Sequence, residues 1–324
     1  LLKGALIPLS FSRQVKLELI RQAQKEPCCN RTELTALLLL RGYLAIRSGT
    51  RGLSVEVEHV ALARYLFRLF KAAGAASPEV LQKQVRRLGI KRYLVEVTGA
   101  QNVSALLEAL GLKSSELPRR LARDPSLVPG QRCCRRAFIR GAFLAGGTLN
   151  RPDGPGYHLE INCGLPEDAA LLQGCLAEFS ISAPLRQRRG SSYLYLKKAE
   201  AIADFLRIIG AASAVLQLES ARVIRSMRNQ VNRQVNCDTA NLEKVVATAQ
   251  QQLLVIDRLE QRCTLEELPQ SLKEIALMRR RYPEASLREL GRLCKPPLSK
   301  SAVNHRFRKL IELEQESGRP DHDS

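Results

Sequence analysis

The chain has 324 residues, with 51 Lys and Arg against 32 Asp and Glu, a formal net charge of +19. That length suits about two to three domains, and the charge excess calls for a polyanionic partner, nucleic acid first. Apolar runs are far shorter than the roughly 20 residues of a membrane span, and no basic-then-apolar leader opens the sequence, so no membrane partner is expected.

The chain repeats itself. Residues 28–44 (CCNRTELTALLLLRGYL) align without gaps on 133–149 (CCRRAFIRGAFLAGGTL), within the stretch 133–150, at a constant offset of 105. Cys28 and Cys29 fall on Cys133 and Cys134, Arg31 on Arg136, Ala36 on Gly141, Gly42 on Gly147 and Leu44 on Leu149. A fixed-offset repeat of this kind has to be found before elements are assigned. Ala137, Gly141, Ala142, Ala145 and Gly146 carry little bulk, so another backbone can approach this helix closely.

Ahead of the repeats, residues 11–24 read as an amphipathic helix with Ser12 as N-cap. The first repeat then gives a helix over 30–40, a strand at 43–46, a turn at Ser48-Gly49-Thr50 and an alternating strand at 53–58. A helical face on Leu62, Leu66, Leu69 and Phe70 ends at Gly74. Strands at 80–86 and 93–97 follow, then a helix ending at Gly111. The second repeat has the same order: a helix over 135–145, strands near Thr148 and at 157–162, a helix over 169–179, strands at 185–189 and 193–197, and a helix through Gly210. The closing helices match again, with Val103, Leu106, Leu107, Leu110 and Gly111 opposite Ile202, Phe205, Leu206, Ile209 and Gly210. Each half is therefore α-β-β-α-β-β-α, and two such units packed along their small-residue helices make one α+β domain.

Between the halves, 112–131 reads as a polar, Pro-punctuated connector. Arg119, Arg120 and Arg123 there, with Arg132, Arg135, Arg136 and Arg140 just beyond, form an Arg cluster that suits either a solvated face or phosphate contacts. Residues 222–244 carry Asn229, Asn232 and Asn236 at helical spacing beside Arg225, Arg228 and Arg233. Such amides and guanidinium groups suit base edges and phosphates, and suit a buried polar lock between domains equally well. A helix is expected over 242–259.

The last part, 265–316, holds three helical segments. Residues 271–281 end before Pro283. Residues 286–294 open with Ser286 and Glu289 in a capping-box pattern. Lys295-Pro296-Pro297 breaks the chain, and Ser299 caps a third helix whose Val303, Phe307, Leu310 and Ile311 form one apolar stripe. This is the layout of a helix-turn-helix, which makes the expected fold α+β, with a duplicated domain followed by an all-α helix-turn-helix domain. The boundaries read as 1–26 (N-terminal helix), 27–218 (duplicated domain, repeats 27–112 and 132–211), 219–262 (Asn/Arg-rich linker), 263–316 (helix-turn-helix) and 317–324 (disordered tail).

The third helix is the candidate reader of double-stranded DNA. Its candidate contact set is Ser299, Lys300, Ser301, Asn304, His305, Arg306, Arg308 and Lys309. Recognition helices enter the major groove N-terminus first, so Lys300, Ser301 and Asn304 reach base edges, while Arg306, Arg308 and Lys309 take phosphates. Auxiliary contacts would come from Arg132, Arg135, Arg136 and Arg140, and from Arg228, Asn229, Asn232 and Arg233.

The nine Cys and four His show no CxxC and no metal-ligand spacing. Adjacent Cys side chains on a helix point about 100° apart, so the two vicinal pairs read as small buried residues in a reducing compartment, and no metal or cofactor is expected.

Within the second repeat, RGAFLAGGTL resembles the LAGLIDADG homing-endonuclease motif, and the resemblance implies that family's fold. Those enzymes hold divalent metal with acidic residues at the helix ends. The two acidic positions fall here on Leu144 and Gly146, and in the first copy on Leu39 and Arg41, none of which binds a hard cation. The nearby carboxylates, Glu33 and Asp153, lie elsewhere in the pattern, so no catalytic residue is assigned.

A degenerate domain of this kind joined to a C-terminal helix-turn-helix resembles the WhiA sporulation-regulator family. The matching stretches are SFSRQVKLEL, both CC helices, YLKKAEAIADFLRIIGA, MRNQVNRQVNCDTANLEK, ASLRELGRL and LSKSAVNHRFRKL. The chain departs from the family in its extra residues before Ser10. The resemblance implies a cytoplasmic, nucleoid-associated transcription regulator of cell division, chromosome segregation or sporulation. Its partners would be promoter DNA and another transcription factor or RNA polymerase. The alternatives are a residual DNA endonuclease, or an RNA-binding or division-machinery adaptor.

Overall fold

The doubled sequence pattern folds as a doubled structure. The computed structural model describes residues 9–22, 26–47, 49–85, 90–114, 120–123, 129–261 and 265–316, and the chain divides into two compact units, Leu1–Ile224 and Arg225–Ser324. The Arg119 and Ser48 expectations and the tail from 317 lie outside the described residues.

In the first unit, α1 (Phe11–Arg21) precedes the first repeat: α2 (Pro27–Arg41), β1 (Gly42–Arg47), β2 (Thr50–Val57), α3 (Val60–Ala72), β3 (Glu79–Val85), β4 (Ile90–Thr98) and α4 (Ala100–Ala109). A short hairpin follows, β5 (Leu112–Ser114) with β6 (Leu121–Arg123). The second repeat is α5 (Arg132–Gly146), β7 (Gly147–Leu149), β8 (Leu159–Gly164), α6 (Pro166–Ala177), β9 (Leu185–Arg188), β10 (Ser191–Leu196) and α7 (Ala199–Ile209). The two sheets share one antiparallel topology, β1-β2-β4-β3 and β7-β8-β10-β9. Strand alternation sets the faces: Leu159, Ile161 and Cys163 of β8 are buried, as are Leu194 and Leu196 of β10.

The small-residue helices α2 and α5 form the seam. A Cβ at Gly141 would stand 2.5 Å from the Glu33 carbonyl oxygen and 2.9 Å from Ala36 Cβ, so the two backbones touch there. One buried polar cluster crosses this seam. Arg140 Nε donates to Glu33 Oε1 at 3.3 Å, Arg140 Nη2 donates to the Leu19 carbonyl at 2.6 Å, and Tyr65 Oη donates to Glu33 Oε1 at 2.8 Å.

Four sequence expectations are corrected. The N-cap of α1 is Ser10, whose Oγ accepts from the Arg13 amide at 3.3 Å. Ser12 instead donates to the Leu149 carbonyl at 2.9 Å and accepts from the Leu149 amide at 2.7 Å, pinning α1 to β7. The connector over 112–131 contains the β5–β6 hairpin, with Leu112 and Leu121 buried; three-residue strands are too short to display a period. The helix expected over 242–259 is the end of one helix, α8 (Ala212–Glu260), which has no Gly or Pro to break it. The vicinal Cys pairs are also only half as expected: Cys29 and Cys134 are buried, but Cys28 and Cys133 are exposed.

In the second unit, a 3-10 turn (Leu265–Glu267) leads to α9 (Gln270–Arg281), α10 (Leu287–Leu293) and α11 (Lys300–Glu316). Their core joins Leu272, Ile275, Leu290, Val303, Phe307 and Leu310 to Val255, Ile256 and Leu259 from the end of α8. Among the described residues, no helix is long and apolar enough to cross a membrane.

Candidate nucleic-acid interface

The geometry of α11 is built by the turn before it. Ser286 Oγ accepts from the Glu289 amide at 3.3 Å, and Glu289 Oε2 accepts from the Ser286 amide at 2.8 Å, completing the capping box that starts α10. Those bonds hold the Glu289 carboxyl below the usual range. At the other end of α10, the Leu298 amide donates to the Gly291 carbonyl at 2.8 Å. A Cβ on Gly291 would meet the Leu298 carbonyl oxygen at 2.3 Å, so the chain can return this closely only past a glycine. Ser299 Oγ then accepts from the Ala302 amide at 3.2 Å and lies 2.9 Å from Ser301 Oγ. Ser299 therefore acts as the cap of α11.

Val303, Phe307 and Leu310 point into the core. Lys300, Ser301, His305, Arg308 and Lys309 are exposed, and Asn304 is half-buried between Lys300 and Arg308 on the same stripe. Arg306 departs from the expected phosphate role. Its Nη1 donates to Glu274 Oε2 at 2.9 Å and to the Ser271 carbonyl at 3.1 Å, bracing α11 against α9.

Other cations of this unit are also committed internally. Arg279 is 1% exposed; it donates to Gln252 Oε1 at 3.0 Å and to the Ala285 carbonyl at 2.5 Å, and stacks 5.6 Å from the Phe307 ring centroid. Arg280 pairs with Asp257 and Glu260, and Lys273 with Glu266. Net charge alone does not reveal these internal pairings. The signals that were present are the acidic partners one helix away and the position of Arg279 on the apolar side of α9.

The Arg cluster of the first unit is sorted in the same way. Arg140 is 5% exposed and held in the α2–α5 seam, so its expected auxiliary contact with nucleic acid is excluded by burial. Arg135 pairs with Glu178 at 2.7 Å, Arg136 donates to the Ile208 carbonyl at 3.2 Å, and Arg132 lies 5.2 Å from the Phe179 ring centroid. Arg228, Asn229, Asn232 and Arg233 are exposed along α8.

Comparison with known proteins agrees with this architecture. Residues 27–113 match the WhiA N-terminal LAGLIDADG-like domain, 135–228 the WhiA LAGLIDADG-like domain, and 231–314 the WhiA C-terminal HTH domain. A "Probable cell division protein WhiA" of Heliobacterium modesticaldum is 42% identical over 308 residues, 94% of this chain and 96% of that one. The chain belongs to the WhiA family. The Bacillus subtilis protein of the same name is 38% identical over 309 residues, covering 95% of this chain and 97% of that one. Among solved structures, full-length DUF199/WhiA from Thermatoga maritima superposes with a TM-score of 0.59 at 26% identity, over 96% of this chain and all of that one.

The WhiA LAGLIDADG-like domain raises the question of divalent metal at the helix ends. Leu144 is buried, and a side chain at Gly146 would meet the Asn162 carbonyl oxygen at 2.4 Å. In the first repeat Leu39 is buried, and Arg41 Nε donates to the Ala145 carbonyl at 2.9 Å, a guanidinium capping the end of α5. Lys16 shares this cleft with Arg41, Glu56 and Glu58. Burial, with the Arg41 charge adding to it and Glu58 opposing, brings Lys16 down to about 8. None of the four motif positions offers a carboxylate, Arg41 and Lys16 bring cations into the cleft, and of its two carboxylates Glu58 is paired with Arg92 at 3.2 Å, so the motif positions do not fit a hard divalent ion. Glu33 is committed to Arg140 and Tyr65. Asp153 is an exposed partner of Arg151, whose hydrogen bonds hold it below the usual carboxylate range.

Proposed function

We propose that this chain is a sequence-specific regulator of transcription that reads double-stranded promoter DNA with α11, acts in cell division, chromosome segregation or sporulation, and cleaves nothing. The observation that carries the reading is the outward stripe of α11. Lys300, Asn304 and Arg308 lie on one face at successive turns, at the exposed start of the second helix of a helix-turn-helix. Lys300 and Asn304 are assigned to base edges, with Ser301 and His305 beside them; Arg308 and Lys309 are assigned to phosphates. Arg228, Asn229, Asn232 and Arg233 add an exposed polar and cationic face from α8. Work in the cytoplasm on the nucleoid follows from this reading, as does an encounter with RNA polymerase or a second transcription factor.

The test is a binding titration on a sequence selected from random duplex DNA, against scrambled duplex and RNA of equal length. Asn304→Ala is expected to weaken specific binding by roughly 1–3 kcal/mol and leave scrambled binding unchanged. Arg308→Ala is expected to weaken both and to reduce the salt slope by about one. Equal affinity of the Asn304→Ala protein for the selected duplex would refute the assignment, and RNA competing as well as the selected duplex would favour an RNA adaptor. Plasmid incubated with the chain and magnesium or manganese ions is expected to stay intact. Cleavage lost on mutating Glu56 or Asp153 would restore the nuclease reading.

A further inference from the structure

Four thiols meet at the N-terminal end of the α2–α5 seam. Cys28 and Cys29 lie in the first turn of α2, Cys133 and Cys134 in the first turn of α5. Their four sulfurs all lie within 4.8 Å of one another, and the spacing within each vicinal pair is 4.0 Å. One pair on one helix is a poor ligand set, because its side chains diverge by about 100°. The second pair, arriving from the other half of the duplicated domain, supplies the missing directions.

We propose that Cys28, Cys29, Cys133 and Cys134 form a tetrathiolate site for a single soft divalent ion, with zinc the best fit. Zinc–sulfur bonds of about 2.3 Å in a tetrahedron put the sulfurs about 3.8 Å apart. The observed spacings of 4.0 Å within pairs and at most 4.8 Å overall exceed that by no more than about 1 Å. A multinuclear iron–sulfur cluster fits less well, because iron and sulfide atoms stand between its cysteine ligands and spread them further apart.

Exposure argues the same way. Small apolar packing would bury all four residues, yet only Cys29 and Cys134 are buried, while Cys28 and Cys133 face solvent and leave an ion a way in. Four thiolates around a divalent cation carry a net double negative charge. All four cysteines sit in the first turn of their helices, the end at which the helix dipole favours negative charge. Arg136 lines a cleft with Cys29 and Cys133, and Arg31 one with Cys28 and Cys134. The Gln131 side-chain amide lies 3.4 Å from Cys133 Sγ and 3.9 Å from Cys28 Sγ, and by turning over it can donate to the thiolates. The bound ion ties together two segments a hundred residues apart, across the seam that joins the halves. The site is independent of the DNA-binding assignment.

The test uses the full chain, reduced and stripped with a chelator, then titrated with cobalt(II) and back-titrated with zinc. One equivalent of cobalt is expected to develop the intense ligand-field and thiolate charge-transfer bands of a tetrahedral tetrathiolate, and zinc to abolish them. Zinc saturation is expected to protect four thiols from a disulfide reagent and to raise the midpoint of thermal unfolding. Cys28→Ser and Cys133→Ser, both at exposed positions, are expected to lose the tetrathiolate spectrum, while Cys237→Ser on the exposed part of α8 keeps it. Failure of the wild-type chain to take up stoichiometric cobalt overturns the site, as does full thiol reactivity in saturating zinc. A spectrum unchanged in Cys28→Ser and Cys133→Ser overturns it too. Should a serine variant misfold, the wild-type thiol protection decides.

Discussion

Arg140→Ala separates a structural arginine from a nucleic-acid contact. Arg140 is 5% exposed and Glu33 is fully buried. The guanidinium donates to Glu33 Oε1 at 3.3 Å and to the carbonyls of Leu19 and Gln22 at 2.6 and 2.5 Å. Truncation removes the buried charge partner of Glu33 and the donors that hold the end of α1, and breaking a buried pair in this way costs about 3–5 kcal/mol. For a unit of about 200 residues each kcal/mol lowers the unfolding midpoint by roughly 2–4 °C, so a fall of about 6–20 °C is expected. The assay is thermal unfolding followed by far-ultraviolet circular dichroism, with urea unfolding as a second measure. Replacing the whole cluster at once, Glu33→Leu with Tyr65→Phe and Arg140→Met, is expected to recover most of the loss, because well-packed apolar groups replace such a pair at little cost. A midpoint within about 2 °C of wild type for Arg140→Ala would refute the buried-pair reasoning. If the same variant also reduced the salt slope of DNA binding, the phosphate role read from sequence would return.

Asp168 makes a pH-dependent contribution. Burial, with Glu167 adding to it and Arg120 and Arg123 opposing, pushes its carboxyl up to about 7. A carboxyl raised in the folded state binds its proton more tightly folded than unfolded, so its contribution is complete below about pH 4 and is lost as pH rises through about 7. That rise in pKa corresponds to roughly 4 kcal/mol, and Asp168→Asn is expected to flatten the slope and raise the unfolding midpoint above about pH 7. An unchanged slope in the Asn variant would show that Asp168 is solvated. Gly291→Ala is expected to cost about 1–3 kcal/mol by overpacking, since its Cβ would meet the Leu298 carbonyl oxygen at 2.3 Å. It is also expected to weaken specific DNA binding through the displaced start of α11; wild-type stability and binding together would sink that account.

Much of the fold was legible in the chain itself, because the signals are local. The alternation in 157–162 and the Ser286–Glu289 spacing are visible within a few residues, and the offset of 105 between the CC helices is a match of one stretch of the sequence to another. They gave the duplicated α-β-β-α-β-β-α order and the outward stripe of α11 directly. The failures were equally specific. Ser12 satisfied the rule for a cap, yet Ser10 performs it, because a partner on β7 was available to Ser12. The β5–β6 hairpin left no period, and a helix start was expected at 242 although nothing in Ala212–Glu260 breaks a helix.

What the sequence by itself determined was therefore which elements form, in what order, and which helix presents a basic, amide-bearing face. What only the tertiary structure decided was the fate of each charge and each thiol. Arg306 and Arg308 are two residues apart on one helix, but one faces Glu274 and the other faces solvent. Arg140 reads as one more member of an Arg cluster until Glu33 is found opposite it. The two Cys pairs are unremarkable apart and adjacent in space. Periodicity is a property of neighbours along the chain, whereas desolvation, ion pairing and ligand geometry depend on groups brought together from a hundred residues away.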